Sequence, residues 1–148
     1  MVLHIDDLHK QYNEAMMNIS FIGASKIDGL PHGSGVSNPA QQKALSLCDI
    51  ERIKKWIMAI EQMEQTLSEK KAVFLQYRRE AEYINMKMPK QGRNGWINYV
   101  QFHYSEWFSR RYCRNDDTVI PEQTLREWQS KIIDTTVRIA IYHGCFDF

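Results

Sequence analysis

Tyr104, Trp107, Phe108 and Tyr112 recur at i, i+3, i+4 and i+8, and a helix is the one regular structure that gathers such positions onto a single face. The repeat stops at Arg114, Asn115, Asp116 and Asp117, a polar, turn-forming run. Pro121 follows, where the first residue of a helix tolerates a missing N–H. From there Leu125, Trp128, Ile132, Thr135 or Thr136, and Ile139 step by three and four. They form one apolar stripe, and Gln123, Arg126, Glu127, Ser130 and Lys131 fall largely off it. Gly144 is placed to end that helix, because glycine takes the left-handed conformation of a C-terminal cap without a Cβ penalty. Residues 105–144 are therefore expected to form a helix, a loop and a longer helix.

Such a pair has two readings. In a helix-turn-helix, side chains in the first turns of the second helix reach base edges in the major groove while backbone amides face phosphates. Gln123, Thr124, Arg126 and Ser130 suit that role, and Arg110, Arg111 and Arg114 cluster just before them. An ordinary pair of packed helices has the same periodicity, and pattern alone leaves both open.

A chain of 148 residues with 43% hydrophobic and 11% aromatic content can bury a core as one domain or as two small units. The net charge of +1 gives no overall basic footprint of the kind that announces nucleic-acid binding. Charge is uneven along the chain: residues 1–39 carry two basic and four acidic groups, 40–95 eleven and seven, and 96–148 six and seven. The near-neutral C-terminal third counts against a DNA surface, since affinity for DNA comes largely from Lys and Arg at phosphates. Cys48, Cys113 and Cys145 are far apart and odd in number, which suggests neither a zinc site nor a disulfide framework, and a reducing cytoplasm is the expected location. No apolar run approaches the roughly 18 residues of a membrane span, and the first residues lack the pattern of a signal peptide.

Taken in order, residues 3–22 read as a first helix, with Leu3, Leu8, Tyr12, Ala15, Met16 and Ile19 near one stripe and Asp6 and Asp7 early, where the helix dipole favours carboxylates. His4 and His9 share this helix with the aspartates, and solvated side chains are expected there rather than a metal. Residues 23–39 hold four glycines, two prolines and three serines, so they read as a linker. Gly33, Ser34 and Gly35 lack the lysine and spacing of a phosphate loop. Asn38 as N-cap and Pro39 at the first position start a long helix to about Leu67. In it Ile50, Ile53, Ile57, Ile60 and Leu67 make a heptad seam with Glu64 at its one polar position and Trp56 and Met63 beside it. Lys54 and Lys55 lie off that seam. It can pack within the chain, the favoured expectation, or form a homodimer.

Ser68 begins another helix, with Val73, Phe74, Tyr77, Ala81 and Ile84 on an apolar face and Ala72, Leu75, Arg79 and Glu82 on a mixed one. A basic loop at 87–95 carries Lys87, Lys90 and Arg93, and Trp96 to Tyr112 form the next helix. The expected architecture is all-α: an N-terminal helix and linker (1–38), a long helix with a heptad seam and a basic helical segment (39–95), and a C-terminal helix-turn-helix-like unit (96–148).

Residues 27–39, IDGLPHGSGVSNP, followed by the heptad helix, resemble the N-terminal half of phage and prophage transcriptional regulators of the ArpU and RinA type. Those proteins carry a similar G-x-P-x-G-S-G-x-S-[DN]-P stretch, a long helix, and a C-terminal helix-turn-helix like region 4 of sigma factors. The resemblance is best over 27–80. Further on, residues 121–128 look like the start of the family's recognition helix, with Pro121 in place of a serine, and the segment around 83–104 is longer than the family's. The resemblance implies an activator of phage late genes that binds double-stranded promoter DNA and works with host RNA polymerase. In that role Arg110, Arg111 and Lys131 would contact phosphates, Gln123, Thr124, Arg126 and Ser130 would read bases, and Arg114 and Glu127 would belong to the same DNA-binding surface. A protein inhibitor from a competing genetic element is conceivable for such a regulator.

Two other classes remain. A small terminase subunit also joins a helix-turn-helix to an oligomerising helical segment, and a ring-sized assembly would mark it. A helical interaction protein without DNA contact suits the near-neutral C-terminal third. An enzyme is not expected: there is no HExxH, no GxSxG and no paired carboxylates with a cleft, no cofactor is indicated, and His143 beside Cys145 reads as coincidence. Cys145 and Phe146 are expected to tuck the last residues against the core.

Overall fold

The computed structural model describes residues 5–22, 39–87, 95–113 and 119–146. These form five helices, α1 (Ile5–Ile22), α2 (Pro39–Gln65), α3 (Glu69–Lys87), α4 (Gly95–Tyr112) and α5 (Glu122–Tyr142), with no strand among the described residues. The expected all-α class is therefore found. The linker at 23–38, with the residues that open the phage-regulator resemblance, lies outside the described residues, as do His4, Lys90, Arg93 and Arg114.

α1 lies along α2, α3 pairs with α4, and α5 packs chiefly on α2 with lighter contact to α3 and α4. The main core gathers Ile60 and Met63 from α2, Phe74, Leu75 and Ala81 from α3, Ile97, Val100 and Tyr104 from α4, and Leu125 and Ile132 from α5. Ile50, Ile57 and Ile60 are buried by the chain's own helices, so these α2 positions are covered without a second copy. Glu64, the polar position among them, meets Arg79 of α3 in an ion pair. That contact also explains why Leu75, expected on a mixed face, is buried: Arg79, one turn on, reaches across to α2 and leaves Leu75 against the core.

Helix ends follow local chemistry. The Thr66 hydroxyl donates to the Met63 carbonyl (2.7 Å) and the Leu67 N–H to the Glu64 carbonyl (3.1 Å), which closes α2 before α3 starts. α4 ends on Cys113 at φ 50, a left-handed residue with a side chain where glycine would be unstrained. α5 starts one residue later than expected, with Pro121 as its N-cap and Glu122 in its first turn. It ends on Gly144 at φ 66, whose N–H donates to the Ile141 carbonyl (3.0 Å) while the Cys145 N–H donates to that of Ala140 (2.9 Å). This is the expected glycine cap. It turns the chain so that Cys145 is buried with Ala59 and Ala140, and Phe146 meets the Trp56 ring edge-on at 5.2 Å. No helix among the described residues is long and apolar enough to cross a membrane.

Candidate nucleic-acid interface

The stripe on α5 faces inward. Leu125, Ile132, Thr136 and Ala140 are buried, and the Thr136 hydroxyl is satisfied by donating to the Ile132 carbonyl at 2.7 Å. Thr136 thus takes the core position, and Thr135 turns its hydroxyl to the Lys131 carbonyl at 2.8 Å. The opposite side of the first three turns carries Gln123, Arg126, Glu127, Ser130 and Lys131, all exposed. Thr124 does not join them. It is half-buried and lines a cavity with Tyr104, Phe108 and Trp128, because it stands one residue before Leu125 and one turn before Trp128 on the inward side.

Three arginines of this region are paired with carboxylates. Arg110 lies 3.5 Å from Glu106 one turn back on α4, Arg111 donates to Glu69 of α3 at 2.9 Å, and Arg126 donates to Glu122 at 2.7 Å. Gln123 donates to Glu127 at 3.3 Å. The hydrogen bond to Glu69 holds the Arg111 guanidinium pKa above its ordinary value. These groups are exposed, so the pairs are weak and open to competition by another anion. Exposed cations with replaceable partners can receive phosphates, at the expense of breaking each pair.

Residues not singled out in the sequence complete the region. Gln101 donates to the Ile120 carbonyl at 2.8 Å and so ties the segment before α5 to α4. Lys70, read only as part of a helix start, places its ammonium 5.4 Å from the Phe108 ring centre and 5.5 Å from that of Tyr112. Periodicity within one helix carries no signal for either contact, since both join different elements. Glu69 is likewise legible only as a first-turn carboxylate, yet it anchors Arg111.

Tyr104 is the largest fully buried side chain of the core, and its ring contacts Trp107 (5.2 Å) and Trp128 (5.8 Å). Its hydroxyl is buried with no hydrogen-bond partner among the described residues. Burial first, then Tyr112 and Glu69, push its pKa up to about 12. No family model, curated protein or solved structure matches this chain.

Proposed function

We propose that this chain is a sequence-specific DNA-binding transcriptional regulator, an activator of phage late genes that acts with host RNA polymerase. The observation that carries the reading is the first half of α5: Gln123, Arg126, Glu127, Ser130 and Lys131 stand exposed on a helix whose other side is fixed by Leu125 and Ile132. A polar face on a rigid helix is what base recognition needs, because ordering cost is met in folding rather than on binding. Arg110, Arg111 and Lys131 set the register on phosphates, while Gln123, Arg126 and Ser130 meet base edges. Arg126 leaves Glu122 to do so, and Arg111 leaves Glu69. The resemblance of residues 27–80 to phage late regulators supports the same reading.

The test is binding to the promoter region upstream of the late operon and to unrelated duplex DNA at several salt concentrations. Preference for the promoter, with log affinity falling steeply against log salt, is expected. Arg126→Ala should cost about 1–3 kcal/mol of promoter binding and relax the preference. Binding that is absent, or indifferent to sequence and salt, removes the reading.

A second reading, a helical protein-interaction module without DNA contact, is favoured by one observation: Arg110, Arg111 and Arg126 each have a carboxylate partner. Retention of RNA polymerase by a chain that does not bind DNA would select it.

A further inference from the structure

Three arginines around the start of α5 reach a phosphate only by leaving a carboxylate: Arg110 leaves Glu106, Arg111 leaves Glu69 and Arg126 leaves Glu122. Two lysines of the region have no such pair to break. Lys70 and Lys131 are exposed, and neither forms an ion pair with a described carboxylate. Lys70, in the first turn of α3, holds its ammonium over the rings of Phe108 and Tyr112, 5.4 and 5.5 Å from their centres. Such contacts are weak at exposed sites, and a lysine ammonium on its flexible stem swings readily to an acceptor. Glu69 beside it is engaged by Arg111 at 2.9 Å, so the surplus positive charge of these three residues lies on Lys70.

Packing sets Lys70 beside the polar helix. It borders the same cavity as Pro121, Thr124 and Trp128, and one turn further along both helices Phe74 meets Trp128 edge-on at 5.7 Å. Thr124 and Lys131 are two turns apart on α5, a step that returns to the same side of a helix. The start of α3 therefore runs along the flank of α5 that carries Thr124 and Lys131, next to the exposed Gln123, Arg126, Glu127 and Ser130. A helix in the major groove is held by just such flanking cations, since phosphates line the edges of the groove.

We propose, on the DNA-binding reading of α5, that Lys70 is a further phosphate-positioning residue, so that the DNA surface extends from α4 and α5 onto the first turn of α3. Its ammonium leaves the two rings for a phosphate oxygen and displaces no carboxylate, while Lys131 holds the same flank further along. A contact to the backbone sets affinity and register and leaves base preference to Gln123, Arg126 and Ser130.

The test is binding of the full chain to the late promoter and to unrelated duplex DNA across salt concentrations, with three variants compared. Lys70→Met keeps an apolar stem against the rings, so it should unfold near the parent's temperature. It should weaken binding to both duplexes several-fold, lower the slope of log affinity against log salt by about one unit, and leave the ratio between the duplexes unchanged. Lys70→Arg keeps the charge and should keep the slope. Lys43 is an exposed cation near the start of α2, about 20 Å along that helix from Trp56, and Lys43→Met should change nothing. Specific, salt-dependent binding by the parent with a slope unmoved by Lys70→Met overturns the proposal and leaves the reading of α5 standing. A parent that binds neither duplex overturns both. Equal losses from Lys70→Arg and Lys70→Met, or from Lys43→Met and Lys70→Met, would assign the effect to packing or to overall charge and would overturn the proposal as well.

Discussion

The C-terminal half of α5 meets α2 through Ala59 and Ala140, both fully buried, with Cys145 folded back onto them by the Gly144 cap. The N-terminal half is held by Leu125 and by large rings, Trp128 standing edge-on to Phe74 at 5.7 Å and to Tyr104 at 5.8 Å beside a cavity of about 260 Å³. Small side chains let two helices approach closely and leave no slack, whereas rings of fixed shape meet at edges and leave space. One end of the helix is therefore an anchor. The other end combines the polar outer face, the carboxylate-paired arginines and the cavity, and the proposed recognition face is placed there.

The sharpest way to break this contrast is to enlarge a side chain in each half. Ala140→Leu should destabilise by about 1–3 kcal/mol in urea unfolding, since the α2 contact cannot accept the volume without moving. A loss of a few tenths would mean that the anchor is not tight. A second test uses alkali. Tyr104 ionises in the fold at about 12 against an ordinary value of 10, so its contribution is complete below pH 10 and is lost as pH rises from 10 through 12. The effect is at most about 3 kcal/mol, from roughly 1.4 kcal/mol for each pH unit. Tyr104→Phe should flatten the decline above pH 10 and leave neutral stability equal or higher, because an unpartnered hydroxyl is removed.

In the half beside the cavity, Thr124→Leu should raise stability by about 0.5–1 kcal/mol by filling part of that space, opposite in sign to the enlargement at Ala140. A loss there equal to that of Ala140→Leu would erase the distinction between the halves. The smallest expected change is at Cys113, whose left-handed φ of 50 charges the C-terminus of α4 with strain. Cys113→Gly should gain about 0.5–1 kcal/mol by chemical denaturation, less the entropy that glycine adds to the unfolded chain.

The stripes were legible because apolar residues at steps of three and four report which side of a helix is buried: Leu125, Ile132 and Thr136 on α5, Ile57 and Ile60 on α2. Gly144 was legible because its cap is a local event. Ala59 and Ala140 were not, since a small residue is neither apolar enough to mark a stripe nor polar enough to interrupt one, and its importance comes from the partner helix. Leu75 and Thr124 sat on the wrong side of their stripes for a related reason. The position beside a stripe is buried or exposed according to which neighbour arrives, here Arg79 reaching α2 in one case and the Tyr104, Phe108 and Trp128 rings in the other. Of the candidate site, exposure of Gln123, Arg126, Glu127, Ser130 and Lys131 followed from periodicity, but the pairing of Arg111 with Glu69, 42 residues away, could not.

The claim that recognition lies on the first half of α5 is tested most directly by matched charge removal. Lys131 and Arg138 are both exposed cations on this helix, one in each half. With promoter DNA titrated across salt concentrations, Lys131→Ala should lower the slope of log affinity against log salt by about one unit. Arg138→Ala should leave that slope unchanged. Equal effects from the two substitutions, or none from Lys131→Ala, would contradict the placement of the interface.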